Sequence, residues 1–152
     1  MTLRDKLQVA LKDAMRAKEV DRLSALRLIN AAIKDREIAA RVDGENVAVE
    51  DGDILSILGK MVKQRQESAR VYEEGGRLEL AEKEIAEIAV IGEFLPRQLD
   101  DDEVTVAIGV AIAACGAGSI RDIGKVMADL KGRYTGQMDF GVVGPRVKDM
   151  LS

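Results

Sequence analysis

Apolar residues recur at helical spacing in nearly every segment of this chain, and no segment alternates cleanly between apolar and polar residues as a half-buried strand does. Aromatic residues make up only 3% of the 152 residues, while alanine, leucine, isoleucine, glutamate and basic residues are abundant. All-β folds rely on aromatic and β-branched side chains, whereas this composition favours helices. The pattern therefore predicts an all-α protein.

Periodicity and capping residues predict seven helices, over about 3–18, 21–41, 54–74, 78–95, 102–114, 120–131 and 139–151. Thr2 is expected to cap the first helix, with Asp5 in its first turn. The acidic, glycine-containing stretch 42–53 predicts a loop, and Asp51 or Asp53 is expected to cap the third helix. Gly75 follows that helix as a stop signal.

Two later helix ends are predicted from similar signals. Ser119 is expected to cap the sixth helix, and the loop after this helix is expected to contain Gly132. Asp139 is expected to cap the last helix, which Gly144 and Pro145 would shorten or kink.

The apolar stripes of these helices predict the buried face of each one. The side chains expected to face inward are Leu3, Leu7, Ala10, Leu11, Ala14, Met15, Leu23, Leu26, Ile29, Ile33, Ile38, Ile54, Leu58, Met61, Val62, Ala69, Tyr72, Ala81, Ile85, Ile88, Val104, Ile108, Ala111 and Ile112.

Proline followed by polar residues separates two helical blocks. This pattern predicts a helical N-terminal domain with long helices over 1–95, a connector over 96–101, and a small domain of three helices over 102–152. About 50 residues are near the lower limit for independent folding.

The composition excludes several kinds of active site. The chain has no histidine, which excludes an imidazole base and histidine metal ligands, and its one cysteine excludes an internal disulfide or a zinc site built from cysteines. Cys115 has no histidine to activate it as a glutaminase nucleophile, so a packing role is expected. We therefore predict no catalytic residues, no metal ligands and no cofactor.

Three weaker motifs also have structural explanations. The glycines around 116–118 lack the lysine and preceding strand of a phosphate-binding loop, which favours a turn. The acidic residues 100–103 lack calcium-loop spacing and are typical of a helix start. The five serines are scattered, whereas a Ser–Ser–Lys amidase site needs a loop rich in glycine and serine.

Location and charge give further expectations. The N-terminal segment has no apolar core typical of a signal peptide, and the longest apolar stretch is too short to cross a membrane, so a cytoplasmic protein without a membrane partner is predicted. The net charge of −4 argues weakly against nucleic-acid binding, but residues 1–41 carry ten basic and six acidic side chains. Local basic surfaces can still bind an anion.

The basic residues allow two interpretations. Those of helices 2 and 3 are typical of solvated faces paired with acids: Arg22, Lys34, Arg36, Arg41, Lys60, Lys63, Arg65 and Arg70. Lys131 and Arg133 flank Gly132 in a predicted loop where the backbone could come close to a phosphate, and Lys125 lies on the helix before it; these three are the candidate nucleic-acid-binding residues. Tyr134 is the only nearby ring for stacking, which favours recognition of folded RNA through its backbone.

Four stretches of the chain resemble the GatB/YqeY family: RLSALRLINAAIKDREI (22–38), KMVKQRQESARVYEEGGRLELAEKE (60–84), EIAVIGEFLPRQL (87–99) and GKVMADLKGR (124–133). The resemblance spans nearly the whole chain in the expected order. It implies a stand-alone protein similar to the C-terminal tail region of the tRNA-dependent glutamine amidotransferase B subunit. In that enzyme the tail helps to hold tRNA, but this chain lacks the kinase-like body that carries the chemistry.

The resemblance implies a non-catalytic, tRNA-associated protein, with an amidotransferase or a synthetase as an expected protein partner. One alternative is a protein–protein adaptor whose long helices 2 and 3 offer apolar stripes to a partner helix or to a second copy. Another is an accessory subunit of a carbon–nitrogen ligase that uses glutamine as nitrogen donor, with the chemistry supplied by other subunits. The oligomeric state is open at this point.

Overall fold

The computed structural model describes residues 1–41 and 49–152. Within these ranges the chain forms seven α-helices and no strand, which confirms the predicted all-α fold. The helices are α1 (Leu3–Ala17), α2 (Val20–Ala40), α3 (Asp51–Glu74), α4 (Leu78–Gly92), α5 (Asp101–Cys115), α6 (Ile123–Tyr134) and α7 (Phe140–Leu151). Most of the predicted acidic loop between the second and third helices lies outside the described residues.

The chain divides into two compact units, Met1–Leu95 and Pro96–Ser152. The first contains α1 to α4, and the second contains α5 to α7. The stretch expected to be a connector belongs to the second unit, where the Leu99 amide donates a hydrogen bond of 2.9 Å to the carbonyl of Gln137. Leu99 also packs against the core of that unit.

The core of the first unit is built from the apolar stripes of all four helices. Its buried side chains are Leu3, Leu7, Ala14, Leu26, Ile29, Ile33, Ile54, Leu58, Met61 and Ile91. α3 and α4 form a long helical hairpin whose turn is Gly75–Arg77. Gly76 has a φ of +74°, so the two glycines end α3 as predicted.

The starts of α1 and α3 are capped by side chains, whereas α2 and α4 begin without a side-chain cap. Thr2 and Asp5 form the predicted capping box of α1. At α3 the carboxylate of Asp53 accepts a hydrogen bond of 3.1 Å from the Glu50 amide. Asp53 therefore caps the helix from within its first turn, and Glu50 occupies the N-cap position. Asp51 accepts instead from the Leu3 amide at 3.3 Å, which ties the start of α3 to the start of α1.

Three residues predicted to face the core are exposed: Met15, Ile38 and Ile85. Ile38 follows the buried Ile33 by five residues, about 140° around a helix, and therefore lies on the opposite side. Ile85 and Met15 are offset by about 100–120° from the buried residues Ile91 and Ala14, respectively. The predicted inward orientation of these side chains is wrong.

The core of the second unit is separate. Its buried side chains are Val104, Ala107, Ile108, Ala111, Val126, Leu130, Met138, Val143 and Val147. No single helix among residues 1–41 and 49–152 is long and apolar enough to span a membrane. The segments Asp101–Cys115 and Ile120–Tyr134 reach that length only together, and they are bent by 94°.

One predicted cap in this unit is wrong, whereas the last helix ends at Leu151 as predicted and is not shortened at Pro145. Ser119 makes no side-chain cap hydrogen bond; a 3₁₀ turn over Ile120–Asp122 follows it before α6 begins. α7 continues through Pro145 to Leu151. Gly144 has no Cβ to clash with the proline ring, which removes the usual steric conflict before a proline. Asp139 caps α7 as predicted, accepting from the Gly141 amide at 2.9 Å.

Candidate nucleic-acid interface

The three candidate binding residues, Lys125, Lys131 and Arg133, all lie on α6. The predicted loop around Gly132 is wrong, because the helix continues through this glycine to Tyr134. A glycine inside a helix costs only about 1 kcal/mol, and the burial of Val126 and Leu130 holds the helix in place. The backbone amides there serve the helix, so only side chains are available to a phosphate.

The three cations do not form one cluster. Successive helical residues are about 100° apart, so Lys125 and Arg133 are separated by about 80° around α6. Lys131 lies about 120° from Lys125 in the other direction. Lys125 and Lys131 thus lie on the side away from the buried Val126 and Leu130, whereas Arg133 lies beside Val126, at the edge of the buried face.

Small residues occupy the arc between Lys131 and Lys125. Gly124, Ala128 and Gly132 are spaced by four residues and are all exposed. A Cβ placed on Gly124 or on Gly132 would meet no atom within 4 Å. A long, rigid backbone can therefore approach the helix axis closely along this stripe, with a lysine on either side.

Nearby acids reduce the positive charge. Arg133 pairs with Asp129 at 3.2 Å, and Lys125 lies 4.0 Å from a carboxylate oxygen of Asp122. Lys131 makes no ion pair with any residue in the described ranges. Because the side chains of Lys125 and Arg133 are exposed, both ion pairs are weak, and a phosphate can replace the carboxylate.

Tyr134 is not available for stacking on a base. Its side chain is half-buried and packs against the core of the second unit. This placement leaves the exposed face of α6 without an aromatic ring. The helix can offer charge and close approach, but it has no platform for reading single-stranded bases.

Three basic residues of the second and third helices form ion pairs in the first unit: Arg22, Arg65 and Arg70. Arg65 donates to Glu87 at 2.9 Å between α3 and α4, in a pair that is mostly shielded from water. Arg70 pairs with acids one turn away on α3, and Arg22 pairs with Glu93. These contacts agree with the interpretation of a solvated, paired surface.

The remaining candidate groups have structural roles. The Cys115 side chain is half-buried against the second core, and its sulfur lies 3.7 Å from the Lys125 carbonyl oxygen. Asp100 and Glu103 form the capping box of α5, and the hydrogen bond from Arg97 lowers the pKa of Glu103 to about 2. The described ranges contain no group of three or more histidine, cysteine or acidic side chains placed to hold a metal ion.

Fold and site together define a class: an all-α protein of two units, whose candidate interface is a helix with cations beside a stripe of small residues. The model of the YqeY-like protein family matches residues 4–151 of the chain. The chain belongs to this family, which confirms the resemblance found in the sequence.

Three yeast proteins are similar to part of the chain. Two are named altered inheritance of mitochondria protein 41, mitochondrial: the Clavispora lusitaniae protein is 39% identical over 89 residues, and the Candida glabrata protein is 33% identical over 89 residues. An uncharacterised protein of Schizosaccharomyces pombe is 29% identical over 86 residues. The matches cover 59%, 59% and 57% of this chain, and 49%, 47% and 66% of those proteins, respectively.

The names of two relatives contradict the predicted cytoplasmic location, so this prediction is wrong. That prediction rests on the absence of an apolar secretory signal and of an apolar stretch long enough to cross a membrane. Neither observation distinguishes the cytoplasm from another compartment in which thiols stay reduced, and a mitochondrial targeting segment is amphipathic instead of apolar.

Proposed function

We propose that the protein is a non-catalytic tRNA-associated protein that holds the RNA backbone against α6. Lys125, Lys131 and Arg133 contact phosphates, and the stripe Gly124–Ala128–Gly132 lets the RNA strand approach the helix. The observation that supports this function best is the juxtaposition of two exposed lysines, Lys125 and Lys131, with an unobstructed line of small residues between them. The resemblance of residues 124–133 to an amidotransferase tail points to the same helix.

The proposed contacts imply weak, salt-sensitive binding. Three phosphate contacts give a slope of about −2.7 in a plot of log affinity against log salt, at about 0.9 per contact for a duplex. Raising the salt from 50 to 200 mM then weakens binding about 40-fold. Affinity of this kind suits recognition of RNA shape, because no aromatic ring is exposed on α6 to read bases.

The test is fluorescence anisotropy with labelled tRNA at several salt concentrations. The triple variant Lys125→Glu, Lys131→Glu, Arg133→Glu is expected to lose most binding and to flatten the salt slope. Its melting temperature should stay close to that of the parent, because exposed charges contribute little to stability. A high ratio of absorbance at 260 to 280 nm in protein purified at low salt gives an independent check, since the chain has two Tyr and no Trp.

The matched control reverses three exposed bases of α1: Lys6, Lys12 and Arg16. Arg22 is unsuitable as a control, because its reversal would break the ion pair with Glu93. The control should bind tRNA nearly as well as the parent. Absence of binding by the parent at 50 mM salt, or equal loss in both triple variants, would refute the proposed role of α6.

The alternative function, a protein–protein adaptor, would require a binding surface other than the predicted one. The stripes expected on the second and third helices are buried within the first unit, in residues such as Ile29 and Leu58. Exposed apolar side chains include Val20 and Ile38 on the outer side of α2 and Leu78 and Ile85 on that of α4, and others lie on α1, α3, α5 and α7.

A further inference from the structure

α2 carries apolar residues on two opposite sides. One side is buried and includes Leu26, Ile29 and Ile33. On the other side Val20 is 74% exposed and Ile38 is 52% exposed, and Ala31 lies between them in the same line. A helix that serves only one core has a polar outer face, so this second stripe is unusual for an isolated unit.

α4 has a comparable outer stripe. Leu78 is 61% exposed and Ile85 is 50% exposed. These two residues are seven positions apart, so they lie within about 20° of each other around the helix, and the exposed Ala89 falls in the same line. Only Ala81 and Ile91 of this apolar helix are buried.

The two outer stripes are bordered by opposite charges. Arg27 and Lys34 lie within about 40° of the Val20–Ile38 line on α2, and Glu82 and Glu79 lie within about 100° of Leu78 on α4. All four charged side chains are exposed, and none makes an ion pair within the described part of the chain. Asp35 lies about 60° from the Val20–Ile38 line on the flank opposite Arg27 and Lys34, and Lys83 lies about 40° beyond Glu79 on the acidic flank of α4.

We propose that a second copy of this chain covers these faces, with α2 of one copy packed on α4 of the other. A contact of α2 with α2 would oppose Arg27 to Lys34, and a contact of α4 with α4 would oppose Glu79 to Glu82. The α2–α4 pairing instead joins apolar stripe to apolar stripe and base to acid. A two-fold dimer makes this contact twice, once from each copy.

The first measurement is the mass of the full chain by light scattering and sedimentation, from about 5 to 200 μM. The dimer predicts a mass of twice 16.5 kDa at the upper end. The variants Arg27→Glu with Lys34→Glu, and Glu79→Lys with Glu82→Lys, should each dissociate the dimer. We expect the dissociation constant to rise about tenfold or more, because two complementary contacts become repulsive in each dimer.

Mixing the two double variants is the decisive experiment. In a mixed dimer the acidic α2 of one variant meets the basic α4 of the other, and the second contact keeps its original signs. The mixture should therefore form a heterodimer although each variant alone is monomeric. The variant Lys6→Glu with Lys12→Glu is the matched control for charge, and it should remain dimeric.

Four results would overturn the proposal: a monomeric parent at 200 μM, no dissociation by either double reversal, equal dissociation by the α1 control, or double variants that dissociate but fail to associate when mixed. Circular dichroism melting of each variant separates dissociation from unfolding. The triple reversal on α6 leaves the α2 and α4 faces unchanged, so its mass should equal that of the parent. Failure of RNA binding and failure of dimerisation are thus distinguished.

Discussion

The replacement Leu130→Ala tests whether the two units fold independently. Leu130 is fully buried in the core of the second unit, where Val126 and Val147 are also fully buried. Truncating such a leucine removes its transfer free energy and leaves a cavity, at a cost of about 3–5 kcal/mol. A unit of 57 residues (96 to 152) has a total stability of roughly 3–5 kcal/mol. The second unit should therefore be largely unfolded in this variant.

The first unit should be unaffected, since its core contains none of the residues around Leu130. The assay is amide hydrogen exchange followed by mass spectrometry of peptides. Peptides from α5, α6 and α7 should lose protection in Leu130→Ala, while those from α1 to α4 keep it. The matched variant Leu58→Ala, at an equally buried position of the first unit, should give the reverse pattern. Loss of protection throughout the chain in both variants would show one cooperative unit and refute the division.

Three further changes test individual contacts. The pKa of Glu103 in the folded protein is about 2, below its ordinary value of 4.5. Glu103 therefore stabilises the fold above pH 4.5, and this contribution is lost as the pH falls toward 2. The variant Glu103→Gln, which weakens the pair with Arg97, should show a smaller fall in melting temperature over that range. Gly76→Ala places a side chain at a φ of +74° and should cost about 1 kcal/mol in urea unfolding. Arg65→Ala leaves the shielded Glu87 unpaired and should cost roughly 2 kcal/mol, whereas replacing both residues by leucine should be nearly neutral.

The candidate site could be predicted only in part. The sequence predicted that Lys125 and Lys131 belong to the sixth helix, but it predicted Arg133 in the loop after this helix, whereas all three lie on α6. It did not predict that Gly132 is helical, because a single glycine is a weak breaker whose effect depends on the packing of its neighbours. The stripe of small residues on α6 was missed for this reason, although its four-residue spacing is visible once the helix is extended to Tyr134.

The sequence by itself determined the all-α class, most helix bounds and several caps, such as Thr2 with Asp5. These features depend on local periodicity and on hydrogen bonds between residues close in the chain. Only the tertiary structure decided where the buried face of each helix ends, and it leaves Met15, Ile38 and Ile85 exposed. α2 and α4 carry apolar residues on more than one side, and the choice between Ile33 and Ile38 depends on where the neighbouring helices lie. Burial is a property of the packed unit, so a pattern within one helix cannot specify it.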